Sequence, residues 1–406
     1  MPNPEKDKSP PLMAPPFRPS HILVHYDELI LKGRNRSVFE KCLHSNVRRA
    51  LRDAGKVGVT RRHGRIIVEL GPDADIDACL RRLSGVFGVI RYSPALTLPL
   101  DLAAIERWLG AQLEGLEPRH FAIACRRANK KFPLSSVEVN RRLGRYVQES
   151  TGWPVRIKKP DLTVHVHLLD DAAWVGFERL AGPGGLPTGS AGKVVSLISG
   201  GIDSPVATYQ MLRRGCQVVF AHFHSFPHTD KASQHKVREL VMRILPYGHA
   251  ARLYLVPFAA TQQRIVTECP APLRVVLYRR FMLRTAEAIA RAEGALATVT
   301  GDSLGQVASQ TLENLHSISR VAELPVLRPL VGSNKQHIVE LARQIGTYEI
   351  SIEPHDDCCS FLMPRNPATR STPEEVERAE ASLDVAAEIE RLLEESTDEE
   401  LNGEDW

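Results

Sequence analysis

Absences narrow the function before any motif is read. No apolar run in the 406 residues is long enough to cross a bilayer and the N-terminus has no hydrophobic signal region, so a cytoplasmic protein with no membrane partner is expected. The seven cysteines are odd in number and mostly isolated, which excludes a secreted disulfide framework, and none forms a C-x-x-C pair. Aromatics make up only 6% of the chain, so aliphatic side chains must build the core. The G-x-x-x-x-G-K-[ST] phosphate loop is also missing, and with it the chemistry that cleaves a nucleotide at its terminal phosphate.

What is present is unevenly charged. Residues 373–406 hold 14 acidic and two basic residues, a charge of −12; against the whole-chain +4, residues 1–372 therefore carry +16. A body this basic suggests a polyanionic partner. The acidic end opens with Thr372-Pro373-Glu374-Glu375, an N-cap, a proline at N1 and a capping-box glutamate. It predicts a helix whose apolar stripe is Val376, Leu383, Ala387 and Leu393, with the last ten residues frayed. At the other end, residues 1–20 contain seven of the 28 prolines and read as a disordered tail.

Two blocks precede the middle of the chain. Residues 21–74 read as a small α+β unit: a strand at Ile22–Tyr26, a helix to about Ala54, then strands between Val57 and Leu70. Residues 75–181 add helices at Asp75–Leu83, Leu102–Leu113 and Ser136–Glu149, and strands at Gly88–Tyr92, Phe121–Cys125 and Leu162–Leu168. His165 and His167 fall on the polar side of the last alternation, but no third ligand lies near them, so no metal site is expected. Positive charge clusters in this block at Arg126, Arg127, Lys130, Lys131, Arg141, Arg142, Arg145, Arg156, Lys158 and Lys159. That suits an RNA backbone, with Phe132 and Tyr146 as candidates to stack on bases.

A Gly/Pro-rich linker, residues 182–192, leads to a third block, 193–372, in which strands and helices alternate as in a doubly wound parallel α/β sheet. Its first strand runs into Ser199-Gly200-Gly201-Ile202-Asp203-Ser204-Pro205 and a helix. The two glycines allow close backbone approach, Ser199 and Ser204 supply hydroxyls, and the helix start supplies positive dipole, which together suit a pyrophosphate. Ligands bind at the carboxyl ends of such strands, which gathers this loop, His222-Phe223 and Gly301-Asp302, with Arg279 or Arg280 completing the pocket. The polar stretch Gly301–Thr311 suits adenine and ribose. Near the end, Asp356-Asp357-Cys358-Cys359 sits in a polar, Pro-rich loop where a nucleophilic thiolate is plausible chemistry, provided a cation offsets the aspartates.

The Ser-Gly-Gly-Ile-Asp-Ser segment resembles the PP-loop of the adenine nucleotide alpha hydrolases, and Arg126–Asn140 with Lys159–His165 resembles the THUMP domain. Together with Tyr26–Arg36, Gly301–Gln310 and the Cys358-Cys359 loop, the chain resembles the ThiI family of tRNA uridine 4-sulfurtransferases in a short form without a rhodanese domain. The resemblance implies a ferredoxin-like domain before the THUMP domain and a tRNA partner. It further implies adenylation of uridine 8 at O4 by ATP with Mg2+, pyrophosphate release, and replacement by persulfide sulfur to give 4-thiouridine. It also implies a cysteine desulfurase as donor and a sulfur relay to a carrier protein of thiamine thiazole synthesis. By position, Leu197, Ile198, His222, Phe223, Arg279, Gly301 and Gln310 would contact ATP, with Asp203 and Lys335 as the catalytic electrostatic pair. Either Cys358 or Cys359 would carry or resolve the persulfide. Asp27 stands where the family's start has glycine. Other tRNA-modifying adenylating enzymes, a 2-thiolase or a lysidine synthetase, and a non-catalytic tRNA-binding protein are the alternatives.

Overall fold

Alternation of buried and half-buried residues at the start of Leu162–Leu168 marks one strand of the N-terminal half. The computed structural model describes residues 17–26, 35–62, 64–117, 119–248, 250–354 and 362–402, divided into two compact bodies, 1–184 and 185–406. Asp27 and the Asp356-Asp357-Cys358-Cys359 loop lie outside the described residues.

The first body runs β1 (His21–His25), α1 (Arg36–Ala50), β2 (Val57–Arg62), β3 (Arg65–Leu70), α2 (Ile76–Leu83), β4 (Arg91–Leu98), α3 (Leu102–Leu113), β5 (Phe121–Arg127), α4 (Ser136–Thr151), β6 (Leu162–Leu168), β7 (Ala173–Gly176) and β8 (Leu180–Ala181). These strands form one sheet in the order β2-β3-β1-β4-β7-β6-β5, with β8 on β4, so the two N-terminal blocks share a sheet. Asp75 and Asp101 cap α2 and α3 through their carboxylates. Ser135 and Glu138 close a capping box at α4, a device of about 1 kcal/mol. Helices α3 and α4 bury Ile105, Leu109, Val139, Leu143 and Val147 against Val164 and Val166. Phe17 packs edge-on against Trp108 and Phe177, so packed chain begins inside the stretch expected to be disordered. Phe132 and Tyr146, considered for base stacking, are instead partly buried against this core.

The second body runs β9 (Lys193–Leu197), α5 (Asp203–Arg213), β10 (Gln217–His224), α6 (Ala232–Gly248), β11 (Ala250–Pro257), α7 (Ala259–Glu268), α8 (Arg274–Ala292), β12 (Thr298–Val299), α9 (Leu312–Ser319), β13 (Val326–Leu327), α10 (Lys335–Ile345), α11 (Tyr348–Ile352), α12 (Pro373–Glu380), α13 (Val385–Glu394) and β14 (Thr397–Asn402). Its sheet order is β13-β12-β9-β10-β11-β14, parallel except for β14. The chain leaves β9 toward β10 on one side and returns to β12 on the other, and this reversal places a crevice at the carboxyl end of β9. Helix α8 is the spine of the core: Val276, Leu277, Phe281 and Ile289 are buried with Val195 and Val256.

The acidic end departs from a single helix with a frayed tail. It forms two short helices, the first with the expected Thr372–Glu375 capping box and Pro373 in its first turn, and then an antiparallel edge strand. Charge explains the strand: Glu399 pairs with Arg238 at 2.6 Å, and Arg252 meets Glu400 at 2.9 Å and Asp398 at 3.6 Å. A row of carboxylates also makes a poor template for another chain, which protects the sheet edge. Truncation after Ser396 is expected to bare β11 and shift size-exclusion profiles toward larger, concentration-dependent species than the full chain gives.

Candidate active site at the carboxyl end of the parallel sheet

The loop after β9 is folded by its own serines. The Ser199 amide donates to the Ser204 hydroxyl at 2.9 Å, that hydroxyl donates to the Ser199 carbonyl at 3.2 Å, and the Gly201 amide reaches the Ser199 hydroxyl at 3.4 Å. Both hydroxyls, read from sequence as phosphate donors, thus shape the loop. Gly201 is not in the left-handed region, and a Cβ there would make only ordinary contact with Ser199. Its missing side chain therefore matters for what approaches from outside. Gly301, in the loop after β12, is constrained from within: a Cβ would lie 2.8 Å from the Ser204 nitrogen and 3.0 Å from the Asp203 carbonyl carbon.

Asp203 opens α5 beside this loop. Its carboxylate accepts from Lys335 Nζ at 2.7 Å and from Gln306 Nε2 at 2.8 Å. Lys335 is delivered by the first residue of α10, whose N-cap Asn334 accepts from the His337 amide. A pair 132 residues apart in sequence is thereby assembled at the crevice, with the lysine 47% exposed and available to an anion.

A second cluster centres on Asp302, which the sequence marks only as part of a loop. This carboxylate is 2% exposed and accepts from Arg279, from Thr300 Oγ1 at 2.7 Å, from Arg328 Nε at 3.1 Å and from Gln310 Nε2 at 3.5 Å. Burial alone would raise its carboxyl, but Arg279, Thr300 and Arg328 outweigh that and hold it below the usual carboxylate range. The ionised form anchors Arg279 and Gln310 in place. Gln310 Oε1 is buried without a hydrogen-bond partner, the state of a group that awaits a ligand. Arg280, the other arginine considered, turns into the core toward Glu380 and the Ser317 carbonyl.

On β10, the buried His222 meets the Ile198 carbonyl through Nδ1 at 3.0 Å and so ties β10 to the end of β9. The Phe223 side chain packs in the core against Phe258. Leu197 and Ile198 close the end of β9, half-buried and buried. Cys358 and Cys359 lie outside the described residues, but their flanks are fixed. Lys236 of α6, itself buried, donates to the Ser351 and Glu353 carbonyls at 2.8 and 2.7 Å, and the Ala368 amide bonds the Pro272 carbonyl at 2.8 Å. The cysteines Cys42, Cys79, Cys125, Cys216 and Cys269 are buried or half-buried, with thiols pushed up by that burial, Cys125 to about 11. They are poor nucleophiles.

In the first body, Arg126, Lys130, Lys131, Arg141, Arg142, Arg145, Lys158 and Lys159 are exposed. Arg142 pairs with Glu106 at 2.9 Å, while the half-buried Arg127 donates to the Phe132 and Leu134 carbonyls and shapes the Lys130-Lys131 loop. His167, placed on a polar side from sequence, is 8% exposed, on the sheet face where it is the register partner of the buried Trp174. Among the described residues, no helix is long and apolar enough to cross a membrane.

Comparison with known proteins places this geometry in a family. The profile described as thiamine biosynthesis protein (ThiI) matches residues 189–385, the ThiI ferredoxin-like domain matches 21–93, and the THUMP domain matches 108–178. A probable tRNA sulfurtransferase of Thermus thermophilus is 48% identical over 358 residues, 88% of each chain. The chain belongs to the ThiI family of tRNA sulfurtransferases. A second member, from Moorella thermoacetica, is 44% identical over 92% of this chain and 95% of its own length. Among solved structures, a 4-thiouridine synthetase–RNA complex with bound ATP superposes with a TM-score of 0.86 at 35% identity, covering 95% of this chain and all of that one. The fold also matches PH1313 from Pyrococcus horikoshii, with a TM-score of 0.61 at 24% identity over 80% of this chain and 99% of that one.

Proposed function

We propose that this member of the family catalyses ATP-dependent sulfur transfer to tRNA, converting uridine 8 to 4-thiouridine. The observation that carries the reading is the Asp203–Lys335 pair held beside the Ser199–Ser204 loop, at the crevice where Asp302 fixes Arg279 and Gln310. The polyphosphate would lie along the loop and the start of α5, and the adenine against Gln310 and the backbone of Phe223. Magnesium would neutralise phosphate charge there, and Asp203 is the carboxylate that would hold it.

Uridine O4 attacks the α-phosphorus of ATP, the bond to the bridging oxygen breaks, and pyrophosphate leaves. Lys335 and the loop amides stabilise the charge that develops on the phosphates. The terminal sulfur of a cysteine persulfide then attacks C4. The C4–O bond to AMP breaks, and the persulfide S–S bond is cleaved by a second thiol, giving a disulfide that an external thiol reduces. Cys358 and Cys359 are the residues for this step, and a cysteine desulfurase is the donor. Relay to a thiazole-pathway carrier would draw on the same persulfide.

Mass spectrometry of nucleosides tests the reading. Unmodified tRNA incubated with ATP, magnesium, cysteine and a desulfurase is expected to yield 4-thiouridine with the wild type and none with Cys358→Ser, while Cys359→Ser turns over with excess reductant. The reverse pattern would assign the carrier to Cys359. A 2-thiolated base, or no modification despite tRNA binding, would return the chain to the other readings.

A further inference from the structure

The carboxylate of Asp302, just beyond β12, is fully engaged by protein donors. Its Oδ1 accepts from Arg279 of α8 and lies 3.5 Å from Gln310 Nε2, while Oδ2 accepts from Thr300 Oγ1 at 2.7 Å and from Arg328 Nε at 3.1 Å. Each oxygen thus has two donors, the capacity of a carboxylate oxygen, so Asp302 acts through the groups it holds. An ionised carboxylate accepts and never donates, and it therefore dictates which end of the Gln310 amide turns toward it. The amino end does, and the carbonyl end is left to face away.

That carbonyl oxygen, Oε1, is buried on a residue 9% exposed and has no hydrogen-bond partner among the described residues. The main chain around it is fixed. The Gln310 amide donates to the Val307 carbonyl at 2.9 Å and its carbonyl accepts from the Gly305 amide at 2.8 Å, which closes the segment 305–310 on itself. Asn314 of α9 holds the Ala308 carbonyl at 2.7 Å, and Arg279 Nη1 reaches the Ser309 hydroxyl at 3.4 Å. A fixed, buried acceptor without a donor is a costly state that a ligand N–H or O–H relieves. The segment also indicates which part of a nucleotide arrives. Gln306, near its start, donates to Asp203 at the Asp203–Lys335 pair, where the phosphates are placed above. Gln310 ends it against Asp302, which leaves the base for this end.

We propose that Asp302 is a positioning residue that selects the nucleobase: by holding the Gln310 amide with its oxygen outward, it makes the site demand an amino group, as at position 6 of adenine, and reject the 6-carbonyl of hypoxanthine or guanine. The inference rests on the nucleotide reading proposed above and adds to it which base is accepted and by what device. The 6-amino group donates to Oε1, whereas a 6-carbonyl sets oxygen against oxygen. Asp302→Asn removes the dictation. Its amide donates to Gln310 Oε1, the Gln310 amide turns over, and an amino end then faces the base, the complement of a 6-carbonyl.

Calorimetric titration of the full chain with ATP and with inosine triphosphate, in the absence of tRNA, tests this. The wild type is expected to bind ATP about 10–100-fold more tightly, the cost of leaving a buried acceptor unsatisfied. In Asp302→Asn the ratio of the two affinities should fall to about one or invert. Gln310→Met, which leaves Arg279, Thr300 and Arg328 on Asp302, should also bring the ratio to about one, and it answers the question if Asp302→Asn does not fold. An aspartate that merely supports the structure would weaken both nucleotides by the same factor, and ratios unchanged in both variants would overturn the proposal. So would a wild type that binds the two nucleotides alike but loses affinity for 2′-deoxy-ATP or 3′-deoxy-ATP, which would assign Oε1 to a ribose hydroxyl, and so would a wild type that binds neither. If the ATP preference and its loss are found while tRNA gains no 4-thiouridine, the proposed function fails and the selection of the base by Asp302 stands.

Discussion

Lys335→Ala is expected to slow ATP-dependent thiolation on the order of 10²–10³-fold, the usual cost of removing one group that meets charge developing in a transition state. The fold should not suffer. The lysine is 47% exposed and its bond to Asp203 is at the surface, where an ion pair contributes about 0–1 kcal/mol. Pyrophosphate release in a single turnover checks the prediction, with a thermal melt as the control. Because the two residues touch, Asp203→Ala/Lys335→Ala should cost much less than the product of the single effects. An unchanged single-turnover rate for Lys335→Ala would remove it from the phosphate-facing machinery.

Glu380→Ala should act on stability instead, costing about 3–5 kcal/mol, the penalty for stranding a buried charge. Glu380 on α12 receives Arg280 Nη2 at 2.8 Å and Arg284 Nη1 and Nη2 at 2.6 and 2.8 Å, and Arg280 is 2% exposed. Without the carboxylate, Arg280 keeps only the Ser317 carbonyl among these partners. Burial would raise the Glu380 carboxyl, but hydrogen bonds from Arg284 and Arg280 hold it below its ordinary 4.5. A depressed carboxyl contributes stability that is present above the unfolded value and lost as pH falls through the folded one. The gap between wild type and variant in denaturant melts should therefore be widest near pH 7 and narrow below pH 4.5. A constant gap would mean that packing, not charge, is what Glu380 supplies. Since Arg279 precedes Arg280 on α8, loosening this end of the helix should also weaken nucleotide binding.

Both cases depend on contacts of different legibility. Local signals read well: Leu162–Leu168 and Leu102–Leu113 have the bounds their periodicity predicts, and Thr372 is the N-cap that the sequence predicts. The doubly wound order was legible because strands and helices alternate, and that order alone locates the crevice. Strand β7 was not, since Ala-Trp-Val-Gly has no alternation, and β13 contributes only two residues. Strand β14 was hidden more deeply. Thr-Asp-Glu-Glu-Leu-Asn has little strand propensity, and its pairing is set by Arg238 and Arg252, about 150 residues away. In the site, the phosphate loop was legible as a motif, whereas the convergence of Arg279, Thr300, Gln310 and Arg328 on Asp302 is a product of folding.

The crowding of Gly301 against Asp203 and Ser204 has a metrical consequence. Main chain bears on main chain there, and no side chain stands between the two loops to yield. On the proposed function, the residues that would face a base and those that would face a polyphosphate are therefore carried on two loops in direct main-chain contact. On that same function, a nucleotide too short to touch both ends is expected to bind more weakly than ATP.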